Sequence, residues 1–203
     1  MNARTTRVRP FAERDLAELI KIYRAAFAEP PWDEFKKCSG CGAPYSREEA
    51  GEPLQSCAYC DRELSLTDFW SAREIAGEID HARSQRGGIV IVADVNGALA
   101  GFTYGYGIKL ESFPFLGGVM NGNAAYMDDI AVGPDKREMG VGTELGARFL
   151  ELMGEQGFGQ VVVRTDERNG ASMALFEAAL GFSKTGVYDP KFPSRLYLKK
   201  DLR

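Results

Sequence analysis

The sequence predicts an α/β fold with a central sheet and a small cysteine-rich insertion. Helical and strand-like hydrophobic periods alternate along the chain, and four cysteines lie close together within residues 38–60. A chain of 203 residues that is 44% hydrophobic and 11% aromatic can bury a core of domain size. We therefore expect one domain over residues 1–203, interrupted by an inserted subdomain over residues 33–65.

Charge and hydropathy argue against several classes of protein. The formal net charge of −4 gives no basic field for broad binding to phosphate backbones, so no nucleic-acid partner is expected. No segment reaches the roughly 20 apolar residues of a membrane helix, and the polar start of the chain is unlike a signal peptide. The expectation is a cytoplasmic protein without a membrane partner.

The elements of the N-terminal half follow from local signals. Apolar residues at helical spacing predict a first helix, which must end before Pro30 and Pro31. Asn96-Gly97 between two apolar runs predicts an antiparallel hairpin. In order, we expect a strand over 4–9, a helix from Leu16 to Phe27, a second helix that begins at a capping box of Ser65 and Asp68, and paired strands over 89–95 and 98–108.

The C-terminal half alternates strands and helices in the same way. Residues 110–124 are rich in Gly, Asn, Phe and Pro, which indicates a mobile loop. Gly181 is placed to end the last helix. The expected elements are a strand over 126–132, a helix from Val141 to Leu152, a strand over 161–164, a helix over 171–180, and closing strands around Val187 and over 196–198.

The cysteines form two Cys-x-x-Cys pairs and are the strongest local signal. The 15 residues between the pairs match the spacing of a zinc site with four thiolate ligands. Four protein ligands leave no open position for a substrate, so the expected Zn²⁺ is structural. Two disulfides or unrelated core thiols are the alternative, and a redox role is weaker because neither pair follows an apolar strand. The ligands would be Cys38, Cys41, Cys57 and Cys60.

A strand, a glycine-containing turn and a helix start follow one another over residues 126–143. Gly140 and Gly142 let main-chain N–H groups approach a ligand, and a helix N-terminus favours an anion such as pyrophosphate. A close helix–strand contact would use the same glycines. The pattern Arg137-x-x-Gly140-x-Gly142 is more specific, because it resembles the acyl-CoA-binding motif of the GNAT superfamily of N-acetyltransferases.

Other segments carry the same resemblance. The run Ile130-Ala131-Val132 resembles the family's strand before the motif, and the stretch from Asn169 to Phe182 resembles its later helix. Order and spacing agree over residues 1–32 and 66–203, whereas the cysteine block has no counterpart. The chain is thus identified as a member with a zinc-ribbon-like insertion, and the resemblance implies a mixed, mostly antiparallel sheet flanked by helices.

The resemblance also implies acetyl-CoA as cosubstrate, bound in a gap between two splayed strands. Backbone groups of the first strand would contact the pantetheine arm, N–H groups over 137–143 would hold the pyrophosphate, and two residues of the later helix would border the sulfur. The implied cofactor-binding residues are Ile130, Ala131, Val132, Arg137, Glu138, Met139, Gly140, Val141, Gly142, Thr143, Asn169 and Phe176.

Family chemistry is direct attack of an amine on the thioester, which requires removal of the amine proton. Strand alternation predicts Tyr126 and Asp128 on one face of their strand and Asp129 on the other. Asp128 is our predicted base, acting through water, with Tyr126 as orienting residue or alternate. Asp128 could instead bind the ammonium of the substrate or cap a strand end.

Two positions depart from the family pattern. Phe176 stands where many members have a tyrosine that protonates the leaving thiolate, which leaves Tyr104, Tyr106 and Tyr188 as donors. Arg164 stands where acetyltransferases of ribosomal-protein N-termini carry a glutamate, and this disfavours a protein N-terminus as substrate.

Three functions are compatible with these residues. The first is acetyl transfer to a small-molecule amine, attracted by Asp128, Asp129 and Glu111. The second is acetylation of a protein or peptide that the zinc ribbon binds. The third is a non-catalytic acyl-CoA-binding module, which Phe176 favours. We predict the first; the sequence leaves open the amine and the oligomeric state, for which a homodimer is one option.

Overall fold

A computed structural model describes residues 5–120 and 122–202 of the chain. Its main feature is a seven-stranded sheet with the strand order β1-β5-β6-β7-β8-β10-β9, in which only the β7–β8 pair is parallel. In chain order the strands are β1 (Thr6–Pro10), β2 (Lys36–Cys38), β3 (Pro44–Tyr45), β4 (Leu66–Asp68), β5 (Ile89–Val95), β6 (Ala98–Gly107), β7 (Ala124–Val132), β8 (Gln160–Asp166), β9 (Ser183–Tyr188) and β10 (Arg195–Asp201).

Helices cover both faces of this sheet, because the central strands β5 to β8 bury apolar side chains in both directions. The first two pack on one face and the last two on the other, where the largest core cluster lies. The helices are α1 (Leu16–Phe27), α2 (Ala72–Ser84), α3 (Val141–Glu155) and α4 (Gly170–Met173), the last continued by a π-helical segment (Ala174–Ala179). In the described ranges, no helix is long and apolar enough to cross a membrane.

The expected α/β fold is therefore confirmed: the sheet is mixed and mostly antiparallel, helices flank it, and a small second sheet carries the cysteines. The hairpin at Asn96-Gly97 joins β5 and β6 as predicted. The predicted first strand over 4–9 is observed as β1, while Arg4 lies outside the described residues.

Strands β7 and β8 separate partway along their length. They pair in parallel only from Ala124 to Met127, opposite Gln160 to Val163. Beyond Met127, β7 remains paired with β6 on its other side. The β8-facing edge of residues 128–132 therefore borders a gap, and this gap positions the site described below.

A β-bulge at Asp128 changes the face assignments that strand alternation predicts. Tyr104 of β6 is opposite Asp129, whereas Gly105 is opposite Met127, so Asp128 is the extra residue. A Cβ on Gly105 would lie 2.0 Å from the carbonyl oxygen of Tyr126, so glycine is required for this close approach. The predicted alternation is wrong: the bulge turns the side chain of Asp129 to the same face as that of Asp128.

The inserted segment forms its own three-stranded sheet in the order β3-β2-β4. Because β4 pairs with β2, residues 66–68 are a strand, and the predicted capping box at Ser65 and Asp68 is wrong. The capping box that begins α2 is Ser71 with Glu74, whose side chain and backbone bonds are reciprocal.

The loop predicted over 110–124 packs against the sheet in its described part. Two short 3₁₀ turns place Leu116 and Met120 in a core cluster with Tyr126, Val162 and Tyr197. The prediction of a mobile loop missed this packing, because its apolar residues lack a regular period. This segment covers the part of the sheet that α1 and α2 leave open.

Candidate active site

A groove of about 620 Å³ follows the gap between β7 and the start of the last helix. Its floor is the open edge of β7, and its ends are formed by the α1 terminus and the α3 start. The lining residues are Ala26, Phe27, Glu29, Pro30, Trp32, Ile130, Ala131, Val132, Lys136, Arg137, Glu138, Gly140, Val141, Gly142, Thr143, Asn169, Ala171, Ser172, Ala174, Leu175 and Ala179.

The start of α3 has the geometry of an anion-binding turn. Gly140 precedes the helix with φ 75°, and Glu138 is also left-handed with φ 60°, so successive N–H groups can converge on one ligand. The N–H groups of Val141, Gly142 and Thr143 have no partner within their helix, which is 15 residues long and whose dipole favours negative charge at this end.

The predicted cofactor-binding residues can be compared with this groove. Ten of the twelve line it, including the β7 run and Asn169. The side chain of Asn169 is also used locally, since its Oδ1 accepts a hydrogen bond from the Ser172 N–H at 3.0 Å and caps the last helix. Met139 is outside the lining set and 36% exposed, and Phe176 lines the neighbouring cavity instead.

A smaller cavity of about 220 Å³ adjoins the groove. Phe27, Trp32, Ile130 and Ser172 line both, so the two spaces meet at these residues. The other residues that line the smaller cavity are Tyr23, Glu34, Trp70, Glu78, Tyr104, Tyr126, Asp128, Asp129, Val163, Arg164, Thr165, Phe176 and Arg195.

Asp128 and Asp129 lie side by side in the wall of this cavity. Tyr106 donates a hydrogen bond to Asp128 Oδ2 at 3.2 Å, and Tyr104 donates to Asp129 Oδ2 at 2.5 Å. Burial, and next the charge of Asp129, raise the pKa of Asp128 to about 7. Burial likewise raises the pKa of Asp129. Asp128 can therefore exchange a proton near neutral pH.

Two arginines face the same cavity from the neighbouring strands. Arg164 of β8 donates to Asp189 Oδ2 at 2.5 Å. Arg195 of β10 stacks over Trp32 at 4.9 Å, and its guanidinium lies 3.7 Å from Glu34. Burial, followed by the charge of Arg164, lowers the pKa of Arg195. The cavity therefore contains both signs of charge.

The remaining predicted acid and base residues are distributed as follows. Tyr126 lines the cavity and is 6% exposed, so it can act beside Asp128. Phe176 is buried there against Phe182, with ring centroids 5.5 Å apart. Neither Tyr188, which is 43% exposed, nor Glu111 is among the residues that line either cavity.

The four cysteines of the insertion come together in space. Their Sγ atoms all lie within 4.8 Å of one another, and those of Cys41 and Cys57 are 3.7 Å apart. Tetrahedral zinc with Zn–S near 2.3 Å places sulfur atoms about 3.8 Å apart, so the donor set fits this ion. Tyr45 donates to Cys57 Sγ at 3.2 Å and lowers the pKa of that thiol to about 6, toward the thiolate that binds metal.

Sequence reasoning missed several residues of the cavity wall. Glu34 and Trp70 lie on either side of the insertion, and the Trp70 indole N–H donates to Glu34 Oε2 at 2.7 Å. Glu78 and Arg195 come from α2 and β10. Gly105 within a strand was a signal for the bulge that turns Asp129, since interior strand glycines often mark bulges. No local sequence pattern indicated that Glu34, Trp70, Glu78 and Arg195 would line the cavity.

Comparisons with known proteins agree with this architecture. No curated protein matches the chain by sequence. An N-acetyltransferase from Staphylococcus aureus Mu50 is similar in structure, with TM-score 0.63 and 16% identity over 98% of this chain and 99% of that one. The PaiA N-acetyltransferase from Thermoplasma acidophilum, solved with coenzyme A, has TM-score 0.63 and 17% identity over 97% and 99%. A phosphinothricin acetyltransferase from Sinorhizobium meliloti, solved with acetyl-CoA, has TM-score 0.59 and 19% identity over 98% and 89%.

The decisive comparison is with a family model. The model of the acetyltransferase (GNAT) family matches residues 47–182, which include the strand, turn and helix of the groove and the later helix. That range is well over half of the chain. The chain therefore belongs to the GNAT acetyltransferase family, and it is an acyltransferase.

Proposed function

We propose that the protein transfers an acetyl group from acetyl-CoA to the amine of a small molecule by direct attack. The observation that carries this proposal is the position of Asp128 in the acidic cavity that adjoins the groove. A carboxylate with a pKa of about 7 is suited to take a proton from an amine at neutral pH. A module that only binds acyl-CoA needs no such group.

The groove supports acetyl-CoA as the cosubstrate. Its open β7 edge offers backbone groups to an extended pantetheine arm, and the α3 start offers N–H groups to a pyrophosphate. Arg137 pairs with Glu29 at 2.5 Å across the groove, and both side chains are partly exposed. Such exposed pairs contribute at most about 1 kcal/mol, so Arg137 can turn to a phosphate at little cost.

Bound acetyl-CoA would supply the acyl group as a thioester. Asp128 accepts the proton of the attacking amine, directly or through water, and the hydrogen bond from Tyr106 holds its carboxylate in place. Backbone N–H groups on the open edge of β7 can stabilise negative charge on the carbonyl oxygen. Phe176 has no proton to donate, so water or Tyr126 returns a proton to the thiolate.

The cavity supports a small cationic acceptor. Its volume of about 220 Å³ is below the roughly 300–1,000 Å³ of pockets for drug-sized ligands. Glu34 and Glu78 add negative charge to that of the two aspartates, and the rings of Trp32 and Trp70 can contact an ammonium through their faces. An amine can thus be held as a cation before Asp128 takes its proton.

A protein or peptide acceptor is the second candidate. One observation favours it: the insertion exposes Tyr59 (63%) and Leu54 (44%), which are large apolar side chains on a small domain surface. In this alternative the insertion binds the partner, and the amine of the partner enters the cavity from outside.

We also propose that the cysteine cluster holds one structural Zn²⁺ through Cys38, Cys41, Cys57 and Cys60. Its support is the close approach of the four sulfur atoms and the N–H and O–H donors around them, such as Gly40 N–H to Cys38 Sγ at 3.4 Å. All four positions around the ion are filled by protein, which is the pattern of a structural site.

Release of free coenzyme A thiol from acetyl-CoA, measured against pooled polyamines, aminoglycosides, amino acids and peptides, tests the proposed function. We expect thiol release with one small-amine pool and loss of that release in Asp128→Asn. Preferential turnover of the peptide pool would support the second candidate. Tight binding of acetyl-CoA without turnover in any pool would contradict both and support a binding module.

A further inference from the structure

The acceptor cavity is divided by charge along the strand order of the sheet. Asp128 and Asp129 lie on β7, Arg164 lies on the next strand, β8, and Arg195 on the strand after it, β10. The two aspartates therefore lie on one strand and the two guanidinium groups on the neighbouring strands, where the carboxylate of Glu34 lies 3.7 Å from the guanidinium of Arg195. A site for a plain amine requires only the first of these.

Arg195 is the less satisfied of the two arginines. Its side chain is 16% exposed and its guanidinium stacks over Trp32 and Phe192, at 4.9 and 4.1 Å from the ring centroids. Its nearest carboxylate, that of Glu34, lies 3.7 Å away, beyond hydrogen-bond distance. Within residues 5–120 and 122–202, no acceptor takes a hydrogen bond from this group. Its five N–H donors are thus available to a ligand.

A further polar atom beside the cavity has no hydrogen-bond partner among the described residues. Thr165 follows Arg164 on β8, lines the cavity and is 1% exposed. Its buried Oγ1 makes no hydrogen bond within the described parts of the chain. Buried hydroxyl groups are normally hydrogen bonded, so this atom indicates room for a polar group in the gap beside β8. Because Thr165 alternates with Arg164 along the strand, its side chain lies on the opposite face of the sheet and does not join the arginine pair.

We propose that the acceptor carries its amine and an anionic group in one small molecule, as an amino acid does, and that Arg164 and Arg195 bind the anionic group. The proposal rests on the proposed function and names the substrate class of that site. The amine lies at Asp128, and a carboxylate or related oxyanion lies between the two guanidinium groups. An anion there would add to Asp189 and Glu34, which already lie against Arg164 and Arg195, in offsetting the repulsion between the two guanidinium groups.

Matched acceptors test the proposal. Each amino acid is compared with its α-amide and with its decarboxylated amine in the thiol-release assay. We expect at least one amino acid to exceed both of its analogues in kcat/KM by about 10-fold or more, because one charge-assisted hydrogen bond has this effect. Arg195→Gln should raise KM for that amino acid about 10- to 100-fold and bring the ratio between acid and amide close to one.

Arg195→Lys should restore part of the preference for the acid, because it keeps the charge but loses the planar fork. Arg148→Gln is the matched control, since Arg148 is a surface residue of α3 that pairs with Glu151. Coenzyme A affinity, measured by calorimetry, should be unchanged in all three variants if they fold.

The outcomes separate the inference from the function on which it rests. If amides or plain amines are used as well as or better than acids, the zwitterionic acceptor is wrong while small-amine acetylation stands. If an acid preference exists but Arg195→Gln leaves the acid-to-amide ratio unchanged, Arg195 does not determine it. If no acceptor of either kind releases thiol, the proposed function fails and the inference fails with it.

Discussion

Asp128 has the surroundings that the proposed general base requires. It lies in a bulge beside Asp129 in a partly closed cavity, and burial together with the neighbouring charge keeps it protonated to a higher pH than usual. Its pKa of about 7 lies where a base is both ionised and able to accept a proton at physiological pH.

The first prediction concerns this group in catalysis. For the acceptor found in the thiol-release assay, kcat/KM should rise with pH through about 7, because the base is active only when ionised. Asp128→Asn should lower kcat by about 100-fold or more, the usual effect of a lost general base. The control is Asp80→Asn, since the Asp80 side chain is 76% exposed on α2. An unchanged kcat in Asp128→Asn would show that another group or solvent accepts the proton of the amine.

The second prediction concerns stability and needs no acceptor. A carboxyl whose folded pKa is raised binds more protons in the folded than in the unfolded state between about pH 4 and 7, so the free energy of unfolding falls as pH rises through this window. Asp128→Asn removes the titrating group, so this decrease in the free energy of unfolding disappears. Its Tm should exceed that of the wild type at pH 8, by a margin that shrinks toward pH 4. A margin independent of pH in thermal melts would show that Asp128 titrates normally.

The third prediction concerns Phe176. The thiol of coenzyme A should titrate near the ordinary value of about 8.5, so the leaving thiolate needs only a nearby proton source such as water. Phe176→Tyr should therefore change kcat by less than about tenfold, because an added acid has a large effect only where no other group already protonates the thiolate. Activity that appears in Phe176→Tyr from an inert wild type would instead identify the natural chain as a binding module.

At the scale of the element, three departures from regular structure create the site. The bulge in β7 places both aspartates in one cavity wall, and the early end of the β7–β8 pairing opens the groove. The left-handed turn at Gly140 then directs the first N–H groups of α3 toward that groove. The first two depend on how β7 pairs with its neighbouring strands, and the third depends on one helix end.

The fourth prediction tests the α3 turn. Gly140→Val should weaken acetyl-CoA binding, since valine rarely adopts φ 75° and the turn must rearrange. The cause is conformational within the protein, because a Cβ at this position meets no protein atom within 4 Å. Gly154→Val is the control: it lies in the same helix, a Cβ there also meets nothing within 4 Å, and affinity should be retained. Equal Kd values for both variants by calorimetry would place the pyrophosphate elsewhere.

At the scale of the whole molecule, the insertion is attached directly to the acceptor cavity. Glu34 lies two residues before β2 and Trp70 two residues after β4, and the hydrogen bond between them closes the base of the insertion. Phe69 N–H also bonds to the Phe35 carbonyl oxygen at 3.2 Å. Order in the small sheet thereby fixes two residues of the cavity wall.

The fifth prediction follows from this attachment. Protein purified without chelators should contain one Zn²⁺ per chain, and Cys38→Ser should lose it and disorder mainly residues 33–65, which have too little core of their own. KM for the acceptor should then rise, while Kd for acetyl-CoA stays constant. Metal analysis measures the zinc content, and hydrogen exchange measures the disorder of residues 33–65. Ser39→Ala is the control, and disulfides found by mass spectrometry would contradict the zinc site.

The sequence by itself determined the order of the main helices and strands outside the insertion, the four cysteines and the segment from Arg137 to Thr143. These features are local: a hydrophobic period, a pair of Cys-x-x-Cys turns and a glycine-containing helix start have the same physical cause wherever they lie in a fold. Residues 130–143, which form one continuous stretch of the groove lining, could therefore be predicted, whereas the lining residues at the end of α1 and most of those in the last helix were not.

Only the tertiary structure decided the composition of the acceptor cavity. Glu34, Glu78, Arg164 and Arg195 are far apart in sequence and meet because α1, α2, β8 and β10 converge on the gap beside β7. The face of Asp129 also could not be read from alternation, since a bulge arises from pairing with β6, and a shift of one residue moves a side chain to the opposite face. Long-range pairing fixes both, and the glycine at position 105 is the one local sign of the bulge.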